Sequence, residues 1–156
     1  MVAPQYREGT WFGIPLRGGG YAIGLVARQG RRGRLFGYFF GPVHESEPKR
    51  SAVDGLQPED SIYLSRFGDL NLLNGEWPII GQEPHWVRER WPLPAFARID
   101  EQEGKAWLSY YSDDDLAFVR EENCSLQRAA NYPRDRLSGA SALELHLTRI
   151  LTGNKP

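Results

Sequence analysis

Three aspartates in a row, a lone cysteine, three scattered histidines and two clusters of arginine are where chemistry would have to start in this chain. Asp113-Asp114-Asp115 has the charge to attract a hard cation. It lacks the spaced acidic ligands and the glycine of a calcium loop, so an acidic turn facing a basic partner is the expectation. His44, His85 and His146 are far apart, and none stands in a His-Glu-x-x-His frame, so no metal site is expected. Cys124 has no second cysteine for a disulfide or a two-cysteine metal site, and no neighbouring histidine to activate it. No serine occupies a Gly-x-Ser-x-Gly elbow. Glu76 and Glu83 are the one conceivable carboxylate pair, but nothing in the sequence raises either pKa or fixes their separation. Gly18-Gly19-Gly20-Tyr21-Ala22-Ile23 resembles a phosphate loop until its last position, where a dinucleotide fingerprint needs glycine and this chain has Ile23. Catalytic residues and cofactors are therefore not expected.

Two stretches have the composition of interfaces. His85-Trp86-Val87-Arg88-Glu89-Arg90-Trp91 interleaves tryptophan with arginine, the residue types that dominate binding hot spots. Either Trp86, Arg88 and Arg90 meet a partner, or both tryptophans fold back to cap the core. Arg28 to Arg34 places four arginines around a tight turn, which is a solvated hairpin end or a phosphate-contacting tip.

The elements that must position these residues are mostly strands. With 156 residues the chain fits one domain, expected to span 1–156 and to bury roughly 70% of its unfolded surface. Five Trp, seven Tyr and seven Phe beside 17 Gly and 11 Pro point to short strands and tight turns. Strands are expected at Trp11–Leu16, Tyr21–Arg28, Arg34–Phe40, Ile62–Phe67, Ala95–Ile99, Lys105–Tyr111 and Leu116–Glu121. Pro15 places the first strand at an edge or a bulge, and Gly24 lets a backbone or an aromatic ring come close. Residues 41–60 read as loop with a short strand near Ser51–Leu56. Leu70–Leu73 and Glu76–Ile80 flank Asn74-Gly75, the strongest short-range hairpin signal. The return strand would bury Trp77, with Pro78 at an edge and Gly81 bending the chain away. Ser141 and Glu144 form a capping box ahead of an apolar stripe, so a helix is expected over about Ala142 to Leu151, stopped by Gly153. The fold class is α+β: a mostly antiparallel curved sheet or small barrel with a C-terminal helix.

Charge is nearly balanced, 19 basic against 20 acidic residues, which makes nucleic acid an unlikely partner. No apolar run is long enough for a signal peptide or membrane span, so a cytoplasmic chain with no membrane partner is expected.

In order along the chain, Glu8-Gly9-Thr10-Trp11-Phe12-Gly13-Ile14-Pro15-Leu16, then Gly20-Tyr21-Ala22-Ile23-Gly24-Leu25-Val26, then Gly75-Glu76-Trp77-Pro78-Ile79-Ile80-Gly81 with Pro92 to Phe96, resemble the immunity protein 26 family of bacterial polymorphic toxin systems. The resemblance implies an α+β fold and a protein that binds a cognate toxin and neutralises it by stoichiometric occlusion. It implies that Trp11, Gly24, Gly75, Trp77, Pro78 and Gly81 are framework, and it supplies no catalytic residue. Asp113, Asp114 and Asp115, followed by Trp86, Arg88 and Arg90, are the expected partner-binding residues. The alternatives are a small β-barrel associated with nucleic acid through Arg31, Arg32 and Arg34, and a hydrolase with a scattered active site.

Overall fold

The structure, a computed structural model, describes residues 5–153. In chain order its strands are β1 Thr10–Pro15, β2 Tyr21–Gln29, β3 Arg34–His44, β4 Tyr63–Gly68, β5 Ile79–Gln82, β6 Phe96–Asp100, β7 Lys105–Tyr111, β8 Phe118–Cys124 and β9 Leu137–Ser138. Its α-helices are α1 Leu70–Leu73, α2 Leu126–Ala129 and α3 Ala140–Thr152. The fold is α+β, as the sequence indicates. Six strands form one sheet in the order β5-β1-β2-β3-β4-β9, and β6-β7-β8 form a second. Every pairing between strands is antiparallel except the short β4–β9 ladder. Neither sheet closes into a barrel.

Alternation along β1 to β3 loads both faces of the large sheet. Phe12, Ile14, Ala22, Val26, Leu35 and Phe39 join Phe67, Trp77 and the Leu143 and Leu147 side chains of α3 on one side. Trp11, Ile23, Leu25, Phe36, Tyr38 and Phe40 join Trp91, Phe96 and Leu116 on the other. A sheet covered on both faces has no solvent side, which is why β3 reads as an almost unbroken apolar run. Gly24 lies opposite Phe12 across the β1–β2 ladder, and the Phe12 ring occupies the space a side chain would fill. A Cβ on Gly24 would stand 2.5 Å from Phe12 Cζ. Because Phe12 is fully buried and held by Phe39, Phe67 and Trp77, it has nowhere to retreat. Gly24→Ala is expected to cost about 3 kcal/mol through overpacking. A urea midpoint at the wild-type value would overturn that close contact.

Several expectations are corrected. Leu70–Leu73 is a helical turn rather than a strand, and Asn74-Gly75 ends it rather than turning a hairpin. The Asn74 side chain accepts from Glu76 N at 2.9 Å, and Asn71 O accepts from Trp77 N at 2.9 Å. Gly75 takes φ +81° but Asn74 stays at φ −88°, so only one of the two positive-φ positions of an Asn-Gly hairpin turn is present. The physical reason lies with Trp77, which enters the core between Phe12 and Phe67 and hands the following residues to β1 instead of to 70–73. Strand β1 is interior, between β5 and β2. Pro15 is tolerated because pairing to β5 stops at Phe12, where the register also shifts. The short strand near Ser51–Leu56 is a 3-10 turn over Arg50–Val53. The helix begins at Ala140 with Gly139 as its cap, and no side chain caps it. The Glu144 carboxylate of the expected capping box is instead taken by Trp77 and Arg17.

Candidate partner-binding surface

Arg28, at the end of β2, is buried although it carries a full charge, its side chain only 3% exposed. Such a burial is tolerable only with matched acceptors. Its Nε donates to Asp113 Oδ1 at 2.8 Å, Nη1 to Ala27 O at 2.6 Å, and Nη2 to Arg88 O at 3.3 Å. The other Asp113 oxygen accepts from Arg88 Nη1 at 2.8 Å, while Arg88 Nη2 donates to the Asp113 carbonyl. Arg88 Nε reaches back to Glu8 Oε1 at 2.9 Å. One carboxylate thus clasps two arginines from two other segments, with an oxygen for each. Burial pushes the Arg88 guanidinium down, but its bond to Glu8 and the charges of Glu8, Asp113 and Asp114 outweigh that and hold it above its usual range.

The clasp brings together the 28–34 turn, the 86–91 loop and the 113–115 turn, three stretches that the sequence could only list separately. Gly30 allows the closest approach: a Cβ there would lie 2.6 Å from Asp115 O. Asp115 accepts from Ala117 N at 3.1 Å and sits 3.7 Å from Arg31. The Ala117 N–H is the main reason its carboxyl lies below the usual range. The acidic turn is therefore largely neutralised from within, and Asp114, with its side chain 94% exposed, is the carboxylate it presents outward.

Trp86 and Trp91 both fold back onto the core. Trp91 is buried among Trp11, Tyr38 and Phe40. Trp86 stacks on it at 6.2 Å between centroids, half-buried, with Nε1 3.4 Å from Glu8 Oε1. Tyr38 pins the same loop by donating to Pro92 O at 2.6 Å, and burial pushes its phenol up to about 12. Arg90 stands apart from the clasp, exposed, and donates to the Gln57 side chain.

Of the residues expected to be framework, Trp11 packs with Trp91 on this side of the large sheet, Trp77 packs on the opposite side, and Gly75 is exposed. Trp11 is fully buried and donates to Glu83 Oε2 at 2.7 Å, which ties up one half of the Glu76–Glu83 pair. Gly81 pairs with Trp11, and Pro78 O accepts from Gly13 N at 2.8 Å at the outer edge of the large sheet. A depression of about 350 Å³ lined by Tyr6, Thr10, Ile79 and Gln82 is where a scattered active site would be sought. Two of its polar groups are already engaged: Tyr6 donates to Asp69, outside the lining, at 2.5 Å, and Thr10 to Gln82 at 3.0 Å. Burial, reinforced by Asp69, pushes the Tyr6 phenol well above its ordinary value, so it stays protonated. No three of His, Cys, Asp and Glu among the described residues lie close enough to hold a metal ion.

Sequence reasoning missed the clasp itself. The sequence places Arg28 at a basic turn and Glu8 in a motif, and neither pattern joins them to Asp113. No local pattern marks Arg28: it falls off the row of Ile23, Leu25 and Ala27, and the pairing of β2 with β3 shifts register between Val26 and Arg28.

An α+β framework with aromatic layers on both faces of one sheet, surfaced by a charged three-loop cluster, is the class of structure here. The chain belongs to the immunity protein 26 family, whose model matches residues 7–108. No curated protein and no solved structure matches it. The matched region ends within β7, so the 113–115 turn, β8 and α3 lie beyond it. No described helix is long and apolar enough to cross a membrane.

Proposed function

We propose that this protein is an immunity protein that binds one cognate polymorphic toxin in the bacterial cytoplasm and neutralises it stoichiometrically by covering its active site. The observation that carries this reading is the family match over residues 7–108, which contains the whole framework of β1, β2, β3 and Trp77. In this reading Trp86, Arg88, Arg90, Asp113, Asp114 and Asp115 belong to the contact surface. The clasp holds its loops rigid before binding, which reduces the ordering cost of association. A stable complex of this type would bury about 1,600 Å² in total.

Co-expression with the toxin domain encoded next to this gene is the test. Restored growth together with a one-to-one complex on a sizing column is the expected result. Persistent toxicity with no complex would overturn the reading.

A further inference from the structure

Beside the clasp, the second sheet ends in a strand that no other described segment pairs with on its outer side. The outer edge of β6 is occupied by the chain itself, with Ala97 N donating to Pro133 O at 2.7 Å and Asp135 N to Ala97 O at 2.8 Å. At the opposite edge, β8 makes backbone hydrogen bonds to β7 and to no other described segment. It begins with Phe118 and Val119, 59% and 58% exposed. Val119 is the extra residue of a bulge, since Tyr110 pairs with Arg120 and Tyr111 with Phe118. The Phe118 ring rests edge-on against Tyr111 at 5.9 Å, which fixes it in place without burying it. Natural edge strands usually avoid adjacent exposed apolar side chains, because they invite another chain.

The charge on one side of this apolar pair is mainly positive. Arg31, Arg32 and Arg34 line a shallow depression of about 180 Å³ together with Asp115 and Ala117, the residue preceding Phe118. Asp115 is the one carboxylate there, and it is already engaged with Ala117 N and lies 3.7 Å from Arg31. Arg32 and Arg34 have no ion pair or side-chain hydrogen bond among the described residues. Elsewhere on β8 the charges are matched: Glu121 pairs with Arg98, and Glu122 with Arg120 and Arg128. Unmatched positive charge beside an open apolar edge defines what complements it.

We propose that the surface of Arg31, Arg32, Arg34, Ala117, Phe118 and Val119 docks an extended acidic segment of the partner toxin, with Phe118 and Val119 as apolar anchors. This rests on the toxin-binding reading and adds the location and chemistry of the contact. The arginines speed encounter, since complementary charge acts mainly on association rate. The apolar pair slows dissociation, as desolvated anchors do. Nucleic acid fits less well, because a single exposed ring is not a run of stacking platforms and the chain carries a net charge of −1.

The experiment measures binding of the purified toxin domain encoded beside this gene to wild type, to R31E/R32E/R34E and to F118S. All four altered side chains, Arg31, Arg32, Arg34 and Phe118, are exposed, so urea midpoints should stay at the wild-type value. The triple variant is expected to associate about a hundredfold more slowly at low salt. F118S is expected to weaken binding about tenfold, mainly through faster dissociation. Wild-type binding by both variants would overturn this docking surface while leaving the toxin-binding reading intact. No binding by wild type would overturn both. A labelled single-stranded oligonucleotide provides the other arm: salt-dependent binding to wild type that the triple variant loses would assign the arginines to nucleic acid and overturn the proposal.

Discussion

Trp77→Ala is expected to lower the unfolding free energy by about 3–5 kcal/mol, read as a fall in the urea midpoint at unchanged slope. Trp77 is fully buried and lies parallel to Phe12 at 5.7 Å, with Phe67 at 6.1 Å. Its Nε1 donates to Glu144 on α3 at 2.9 Å, so one side chain connects the sheet to the helix. Truncation removes the largest apolar contact on that face and leaves a cavity between two rings that their own neighbours hold in place. Glu144 is not stranded, because Arg17 remains 3.3 Å away. The loss is therefore dominated by packing. Trp77→Phe separates the two contributions: it keeps most of the ring and gives up the N–H, and should cost about 1–2 kcal/mol. A Trp77→Ala protein that is as stable as wild type yet no longer binds the toxin would show that this residue belongs to the interface and not to the framework.

The same residue marks how far the sequence can be read. Its burial follows from apolar bulk next to a rigid proline, and the positions of β1, β2, β3, β6 and β7 follow from two-residue alternation between turn residues. Gly24 was legible too, because a glycine inside an apolar strand asks what fills its missing side chain, and Phe12 answers. Asn74-Gly75 shows where local signals stop. The pair specifies positive φ at Gly75, but a hairpin and the end of a short helix both satisfy that requirement. The choice between them depends on which strand β5 pairs with, and that is decided by where Trp77 packs. Ser141 and Glu144 repeat the lesson: their spacing fits a capping box, yet Trp77 and Arg17 compete for the same carboxylate and hold it. The candidate site was legible as separate composition-biased loops. Their convergence was not, because ion pairing between Arg28, Arg88 and Asp113 spans 85 residues in one bond and 25 in another and leaves no local pattern.

That convergence supplies the second large effect: Asp113→Ala should cost about 2 kcal/mol and loosen all three loops. Removing the carboxylate leaves Arg28 buried, with the carbonyls of Ala27 and Arg88 as its remaining acceptors and the Arg88 guanidinium as a like charge nearby. A fully buried pair broken in this way costs about 3–5 kcal/mol. Here the Asp113 side chain is 55% exposed, so water reaches part of the site and reduces the loss. Arg28→Met should be milder than Asp113→Ala, because it removes the buried charge along with its partner and leaves Asp113 paired to Arg88. In the double variant the costs should not add: once Arg28 is methionine, deleting Asp113 only removes one partner from Arg88, which keeps Glu8. Added salt should leave most of the Asp113→Ala deficit in place, since screening acts on the exposed arm through Arg88 and little on the buried arm through Arg28. Amide exchange in Trp86–Trp91 and Arg28–Arg34 should quicken in Asp113→Ala while β1 exchanges as in wild type. Additive losses in the double variant, or an Asp113→Ala midpoint equal to wild type, would show that the three loops are held by backbone packing and that the carboxylate only decorates them.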